Sequence, residues 1–403
     1  MNVLIIGAGI AGLTTALMLE RLGIHAEVYE QSPGIRELGV GINVLPQAIN
    51  ELTRLGLLDD LDVTGIRTRE LVYFTRRGQE VWREFRGQFA GHESPQFSIH
   101  RGRLQAIIAR AVHARLGASR IHLNHRLTSY RQEGGSVIAE FTDAKGLSLP
   151  PVRADLLIGA DGIHSVVRSQ MHGHEGEPRW SGAIIWRGAT DWPVFLDGQT
   201  MFIGGGLFGK AVVYPIAPRD GSDRVLTNWA IVQKVGEPAD PLPLRQDWSV
   251  IAPRAELLPL LEQFQLPEVD VKGLVSSTQE LWQYPMCDRD PLARWSEGRV
   301  TLIGDAAHPM YPVGSNGASQ AILDARALAD AFGAESDPVV ALAEYESRRV
   351  SATASIVLGN RQGGPEAVID AVESLAPDGF ADINAVLPFQ DRQQIVQGVR
   401  KVG

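Results

Sequence analysis

The sequence predicts an α/β chain: a parallel sheet built from strand–turn–helix units, a mostly antiparallel sheet inserted into it, and helices at the carboxyl end. Three observations predict this. An apolar strand, a glycine turn and a helix open the chain at "NVLIIGAGIAGLTTALML", residues 2–19. The same order returns at "RADLLIGADGIHSVVRSQM" (153–171) and at "RVTLIGDAAHPMYPVGSNGASQAILDARALADAF" (299–332). Between those two lie short alternating strands that carry aromatic residues.

Composition narrows the function classes. The chain has 403 residues, 44% of them apolar, enough for two or three packed units. Its formal net charge is −9, and its basic residues occur singly or in clusters as short as Arg76-Arg77. Nucleic acid and anionic membranes are therefore not expected as partners. Cys287 is the only cysteine, which excludes an intrachain disulfide and disfavours a cysteine-based metal site. No metal is expected, and "MHGHEGE" at 171–177 reads as a surface loop. Residues 2–19 carry no charge, yet glycines at fixed spacing interrupt them, so they read as strand and helix rather than a membrane span. A cytoplasmic protein, monomeric or homodimeric, is the expectation.

The elements follow in order. Val3–Ile6 is a short buried strand and Leu13–Leu22 a helix. Between them Gly7, Gly9 and Gly12 form G-x-G-x-x-G. The first glycine permits the tight turn, the second lets a pyrophosphate reach the backbone, and the third lets helix and strand pack closely. The helix start directs its unpaired N–H groups at the phosphates. "HAEVYE" is a second strand that ends at Glu30, 18 residues past Gly12, with Gln31 beside it. An acid there accepts a ribose hydroxyl and repels a 2′-phosphate. The unit predicts a Rossmann-like site for FAD or NAD rather than NADP.

Val40, Gly41 and Ile42 fall in a glycine-bounded loop that can approach a flat ring, ahead of a helix from about Pro46. "SIHRGRLQAIIARAVHARLG" at 98–117 is helical, with Arg103 in its first turn. Leu156–Ile158 is a strand followed by Asp161-Gly162, at the end where parallel sheets bind ligands. Asp161 needs partners there, either ligand hydroxyls or its own backbone. From 176 to 286, "AIIWRGATDW", "QTMFIGGG", "KAVVYPIA" and "RVLTNWAIV" predict an antiparallel sheet with one face free for a pocket. Trp186, Arg187, Tyr214 and Trp229 are candidate walls of it, as stacking or carboxylate-binding groups, or else ordinary sheet residues.

In the third unit, Val300–Ile303 ends at Gly304-Asp305, and a loop through Pro312, a further candidate substrate contact, leads to a helix that opens at Gly314–Ala318. Asp305 suits the hydroxyls of a ribityl chain. The backbone at Gly314, Asn316, Gly317 and Ala318 suits partial negative charge on a ring. Two glycine turns 297 positions apart (304 − 7) make sense if one long ligand joins them, and FAD has that length. His308 and Tyr311 lie near the ring by position, as packing or as substrate contacts.

Three signatures stand in order: Gly7–Gly12 with Glu30, Asp161-Gly162 within "GADGIHSVVR", and Gly304-Asp305 within "GDAAHPMYPVGSNGASQA". In these the chain resembles the class A flavoprotein monooxygenases of the para-hydroxybenzoate hydroxylase fold, over nearly its full length. "LGVGINVLPQAI", "SIHRG", "WRG", "QYPMCDRDPL" and "MYPVGSNGASQAI" most resemble the phenazine-hydroxylating members. The resemblance implies Gly9, Ala11 and Gly12 at the pyrophosphate, Glu30 at the ribose, and Arg103 against the phosphate or ribityl region. It implies Asp161 near both FAD and nicotinamide, Asp305 on the ribityl chain, Gly314 to Ala318 over the isoalloxazine edge, and Val40, Gly41 and Ile42 near the ring.

The resemblance further implies non-covalent FAD, NADPH or NADH as co-substrate without a second nucleotide domain, and O2. The substrate would be a small aromatic, phenazine-like or otherwise polycyclic or heteroaromatic, hydroxylated by a flavin C4a-hydroperoxide, with no side chain as nucleophile. Baeyer–Villiger oxidation or epoxidation on the same scaffold, and flavin binding without turnover, are the alternatives. The expected division is an FAD-binding unit over 1–72, 98–175 and 290–345, an antiparallel substrate unit over 73–97 and 176–289, and a helical segment over 346–403.

Overall fold

Asn2–Ile6 is buried from Val3 to Ile6 and lies inside a six-stranded sheet. A strand apolar on both faces needs cover on both. The order is Ser296–Glu297, Val300–Leu302, Leu156–Gly159, Asn2–Ile6, His25–Tyr29, Ile121–His122, all parallel except the first pair. Helices Ile10–Glu20, Arg101–Leu116 and Asn316–Ala334 share its core. Ile10–Glu20 is buried at every position up to Leu19, as a helix enclosed on all sides must be. The structure is a computed structural model and describes residues 1–35, 39–173, 175–207, 209–218, 221, 223–244 and 250–400.

Strand order reverses at Asn2–Ile6. Successive strands first extend to the His25–Tyr29 side and then return to the Leu156–Gly159 side. At such a switch a crevice opens beyond the carboxyl ends of the strands. All three signature turns stand there, because each follows directly on a neighbouring parallel strand.

The second sheet has seven strands: Trp282–Asp288, Arg179–Pro193, Arg224–Lys234, Gly209–Pro218, Thr200–Gly204, Glu70–Phe74 and Glu80–Phe85. It is antiparallel except where Thr200–Gly204 runs beside Glu70–Phe74. Its strand Glu70–Phe74 starts ahead of the boundary expected at 73. One face packs under helices Arg254–Leu261 and Val271–Ser277. The sequence pattern is weak there, because Pro259 lies inside the first helix and Gly273 inside the second, and both helices are short.

Helices Ala367–Leu375 and Phe389–Arg400 place Val368, Ile369, Val372 and Val396 on Leu71, Tyr73, Val81 and Met201 of the same sheet. The helix Pro338–Arg361 runs through the boundary expected at 345/346, capped by Asp337 and uninterrupted by proline or glycine over 339–358. A small sheet, Gly41–Val44, Phe97–His100 and Ile66–Arg67, lies between the two large ones. Among the described residues no helix is long and apolar enough to cross a membrane, and no group of histidines, cysteines or acids is placed to hold a metal.

Candidate cofactor and substrate site

The first turn holds three glycines for different reasons. Gly7 has φ +105°, and a Cβ there would lie 2.4 Å from the Ala160 carbonyl oxygen. A Cβ on Gly12 would lie 2.0 Å from the Gly7 oxygen. Gly9 is different. Its backbone (φ −72°, ψ −179°) suits any residue, and nothing lies within 4 Å of an added Cβ. Packing does not require glycine at this position, and the open space leaves the backbone accessible to a ligand. The helix behind it has neither a side-chain cap nor an acid in its first turn, which leaves its N–H groups for a phosphate.

Ala8 is pinned from both sides. Its N–H donates to Glu30 Oε2 (2.8 Å), and Gln105 Nε2 donates to its carbonyl (2.7 Å). Glu30 Oε1 accepts from Ser32 N–H (2.8 Å), so the carboxylate is fixed with acceptor capacity left over. Gln31 beside it is exposed.

The late turn touches the first helix. Gly304 has φ +59°, and a Cβ on it would lie 2.9 Å from the Ala11 Cβ and 3.3 Å from the Ala321 Cβ. Asp324, fully buried, accepts from Gly304 N–H (3.0 Å), Arg349 Nε (2.7 Å) and His308 Nε2. Arg168 is held by Glu175 (2.6 and 2.8 Å) and donates to the Ala306 and Ala307 carbonyls (3.2 and 2.8 Å). His308 is a packing residue of this frame, with Trp295 at 5.3 Å. Tyr311 is buried, and its carbonyl accepts from Asn360 Nδ2 (3.1 Å).

Asp305 is open to solvent-sized space, yet burial pushes its carboxyl above the usual range, against the pull of His308 and Arg101. Arg101 is likewise accessible, yet burial lowers its basicity. Groups both accessible and desolvated line a deep internal cleft. The acids that pull Arg101 upward are Asp305 and Glu30. One guanidinium is thus within electrostatic reach of an acid from each glycine turn.

Arg103, the arginine that the sequence pattern singles out, is half-buried two places further into the helix. The strand Phe97–His100 runs straight into the helix, so Arg101 is its first residue, and its N–H donates to the Val40 carbonyl (2.9 Å). Asp161 turns inward: it accepts from Ser165 Oγ (2.5 Å), Val166 N–H (2.7 Å) and Val167 N–H (3.3 Å), and burial raises its carboxyl. Of the two kinds of partner open to it, the structure supplies its own helix.

On the sheet side, Gly41 is the meeting point. Its N–H donates to Asn228 Oδ1 (2.8 Å), and its carbonyl accepts from Tyr214 Oη (2.9 Å) and from Arg187 Nη2. A Cβ there would strike Ile216 (2.6 Å) and Asn228 (2.7 Å). Val40 is buried and Ile42 half-buried against the parallel-sheet core. Arg187 and Tyr214 thus face the cleft, whereas Trp186 and Trp229 do not. Alternation puts the two tryptophans on the opposite face, where their Nε1 atoms donate to Gln283 Oε1 (3.1 Å) and Thr278 Oγ1 (2.8 Å) in the core under the two helices. They are framework, not pocket wall.

Pro312 is exposed, and Gly314 and Ser315 have φ +65° and +61°. That left-handed pair opens Asn316–Ala334, whose first turn has neither a side-chain cap nor an acid. Asn316, Gly317 and Ala318 are half-buried, and Asn316 Oδ1 accepts from Gln320 Nε2 (3.4 Å).

Residues 1–358 match the protein family described as the FAD binding domain. The chain belongs to that family. Among its relatives, this flavoprotein is 42% identical over 364 residues to phenazine 1,6-dicarboxylic acid hydroxylase PhzS of Lysobacter antibioticus, covering 89% of each chain. It is 32% identical over 367 residues to 3-hydroxybenzoate 6-hydroxylase 1 of Aquipseudomonas alcaligenes, covering 88% and 86%. Solved structures show the fold. CtdE with FAD and a substrate superposes with a TM-score of 0.78 at 21% identity, covering 100% of this chain and 98% of that one. Klebsiella pneumoniae HpxO with FAD and uric acid gives 0.74 at 24%, covering 100% and 96%. The chain is an FAD-dependent monooxygenase that uses O2 and NAD(P)H.

Three positions escaped the sequence reading: Arg101, Gln105 and Asn228. Arg101 and Gln105 flank a residue that was singled out, and Asn228 carries no local signal.

Proposed function

We propose that this flavoprotein hydroxylates a phenazine-like heteroaromatic substrate, with non-covalent FAD along the carboxyl ends of the parallel strands. The observation that carries it is the contact of the two glycine turns, a Cβ on Gly304 lying 2.9 Å from the Ala11 Cβ, with Arg101 in electrostatic reach of Asp305 and Glu30. A single extended dinucleotide accounts for both turns. Gly9, Ala11, Gly12 and Arg101 would hold the pyrophosphate, Glu30 the ribose, and Asp305 the ribityl hydroxyls. The N–H groups at Asn316–Ala318 would face the ring, with Val40, Gly41 and Ile42 across from them.

Bound FAD supplies hydride acceptance and oxygen activation. The chain's own part is to orient the arene and exclude water. Gly41, fastened to three side chains of the antiparallel sheet, sets the gap between sheet and ring. The identity to a relative named for a phenazine dicarboxylic acid favours that substrate class over a monocyclic one. Cytoplasmic placement rests on cysteine usage.

The test is turnover of FAD-loaded protein with NADPH or NADH against phenazine carboxylates, hydroxybenzoates and cyclic ketones. The expected result is a hydroxylated phenazine formed in step with nicotinamide oxidation. A lactone from the ketones alone would mean Baeyer–Villiger chemistry. No product from any of them would favour flavin binding without turnover.

A further inference from the structure

The sheet side of the cleft contains two buried donors that lack acceptors among the described residues. Arg187 is 9% exposed; its Nη1 donates to Tyr284 Oη (3.1 Å) and its Nη2 to the Gly41 carbonyl, while its Nε has no partner among the described residues. Among the described residues no carboxylate pairs with it, and the groups that act on its charge are tyrosines. Asn228 is 0% exposed. Its Oδ1 accepts from the Gly41 N–H, which fixes the orientation of the amide, and its Nδ2 has no partner among the described residues.

The two side chains flank one peptide, Asn228 at the N–H of Gly41 and Arg187 at its carbonyl. The register agrees: Arg187 pairs with Ala230, and Asn228 lies two residues along that strand, on the same face. Arg101, the other cation of the cleft, adds positive charge nearby. Burying donors without acceptors is costly, and more so for a cation without a counter-charge. Both orphans are donors, so the missing partner is an acceptor. The uncompensated guanidinium makes an anion the best one.

We propose that Asn228 and Arg187 form the subsite that receives a carboxylate carried by the aromatic substrate, and that they set a preference for arene acids over neutral arenes. This rests on the arene-hydroxylase reading above. Neither residue transfers a proton; together they position the ring through its acid group.

The experiment titrates the FAD holoenzyme, without nicotinamide, with phenazine-1-carboxylate and with its carboxamide, following the flavin absorption change. The acid is expected to bind at least about 10-fold more tightly than the amide. Arg187→Gln and Asn228→Leu each weaken the acid about 10-fold more than they weaken the amide or FAD. Arg187→Lys, which keeps the charge, retains most of the preference and guards against a misfolded Arg187→Gln. Equal binding of acid and amide by the wild type overturns the subsite, as does a preference that survives both variants. Loss of FAD affinity with unchanged acid binding also overturns it, by assigning the donors to the cofactor. If both arenes bind alike and are hydroxylated, only the subsite fails; if neither binds nor reacts, the wider reading fails with it.

Discussion

An added methyl at Gly12 would sit 2.0 Å from the Gly7 oxygen, whereas one at Gly9 would meet nothing within 4 Å. Gly9→Ala should therefore fold with wild-type stability and fail to retain FAD, while Gly12→Ala loses stability and FAD together; urea unfolding of the apo-proteins and FAD titration separate the two. Normal FAD affinity in Gly9→Ala would show that no ligand presses on that backbone. Arg101→Gln should weaken FAD by about 10- to 100-fold, the loss of one charge-assisted hydrogen bond to phosphate, and Arg103→Gln by less than about 3-fold. Fluorescence titration of the apo-proteins reads both, and the reverse order would assign the role to Arg103. The choice between these arginines was not legible in the sequence. It depends on where strand gives way to helix, which decides the side chain that faces the cleft. The same holds for Trp186 and Arg187, neighbours whose opposite facings follow from strand parity alone.

Asp324 ties three elements together through Gly304, His308 and Arg349. Burial works against its charge, but His308 and Arg349 outweigh that and hold its carboxyl below the usual range. Its stabilising contribution is therefore present above the unfolded carboxylate pKa, about 3.9, and is lost as pH falls through the lower folded value. Asp324→Ala should cost about 3–5 kcal/mol at neutral pH, since it leaves a buried arginine without its charge partner, and less below about pH 4. Urea unfolding across that range checks it, and a deficit independent of pH would exclude the charge. At this scale the strand–turn–helix units were legible because each turn needs glycine where backbones touch and an acid at a strand end. The helices Arg254–Leu261 and Val271–Ser277 were not, because Pro259 lies inside the first and Gly273 inside the second, and packing on the sheet sustains both.

The parallel sheet presents three turns on one crevice, and the antiparallel sheet is fastened over it through Gly41. That two turns 297 positions apart serve one ligand was readable from their chemistry (304 − 7). Their contact, Gly304 against Ala11, was not, because it depends on how the strand order reverses. If FAD lies along the crevice, its adenosine end meets Glu30 and its ribityl chain meets Asp305. The most direct measurement is the affinity of apo Asp305→Asn for FAD and for ADP beside the wild type. FAD should weaken about 10-fold while ADP, which lacks the ribityl chain, binds unchanged. Unchanged FAD affinity, or equal loss of both ligands, would contradict a single cofactor spanning the two turns.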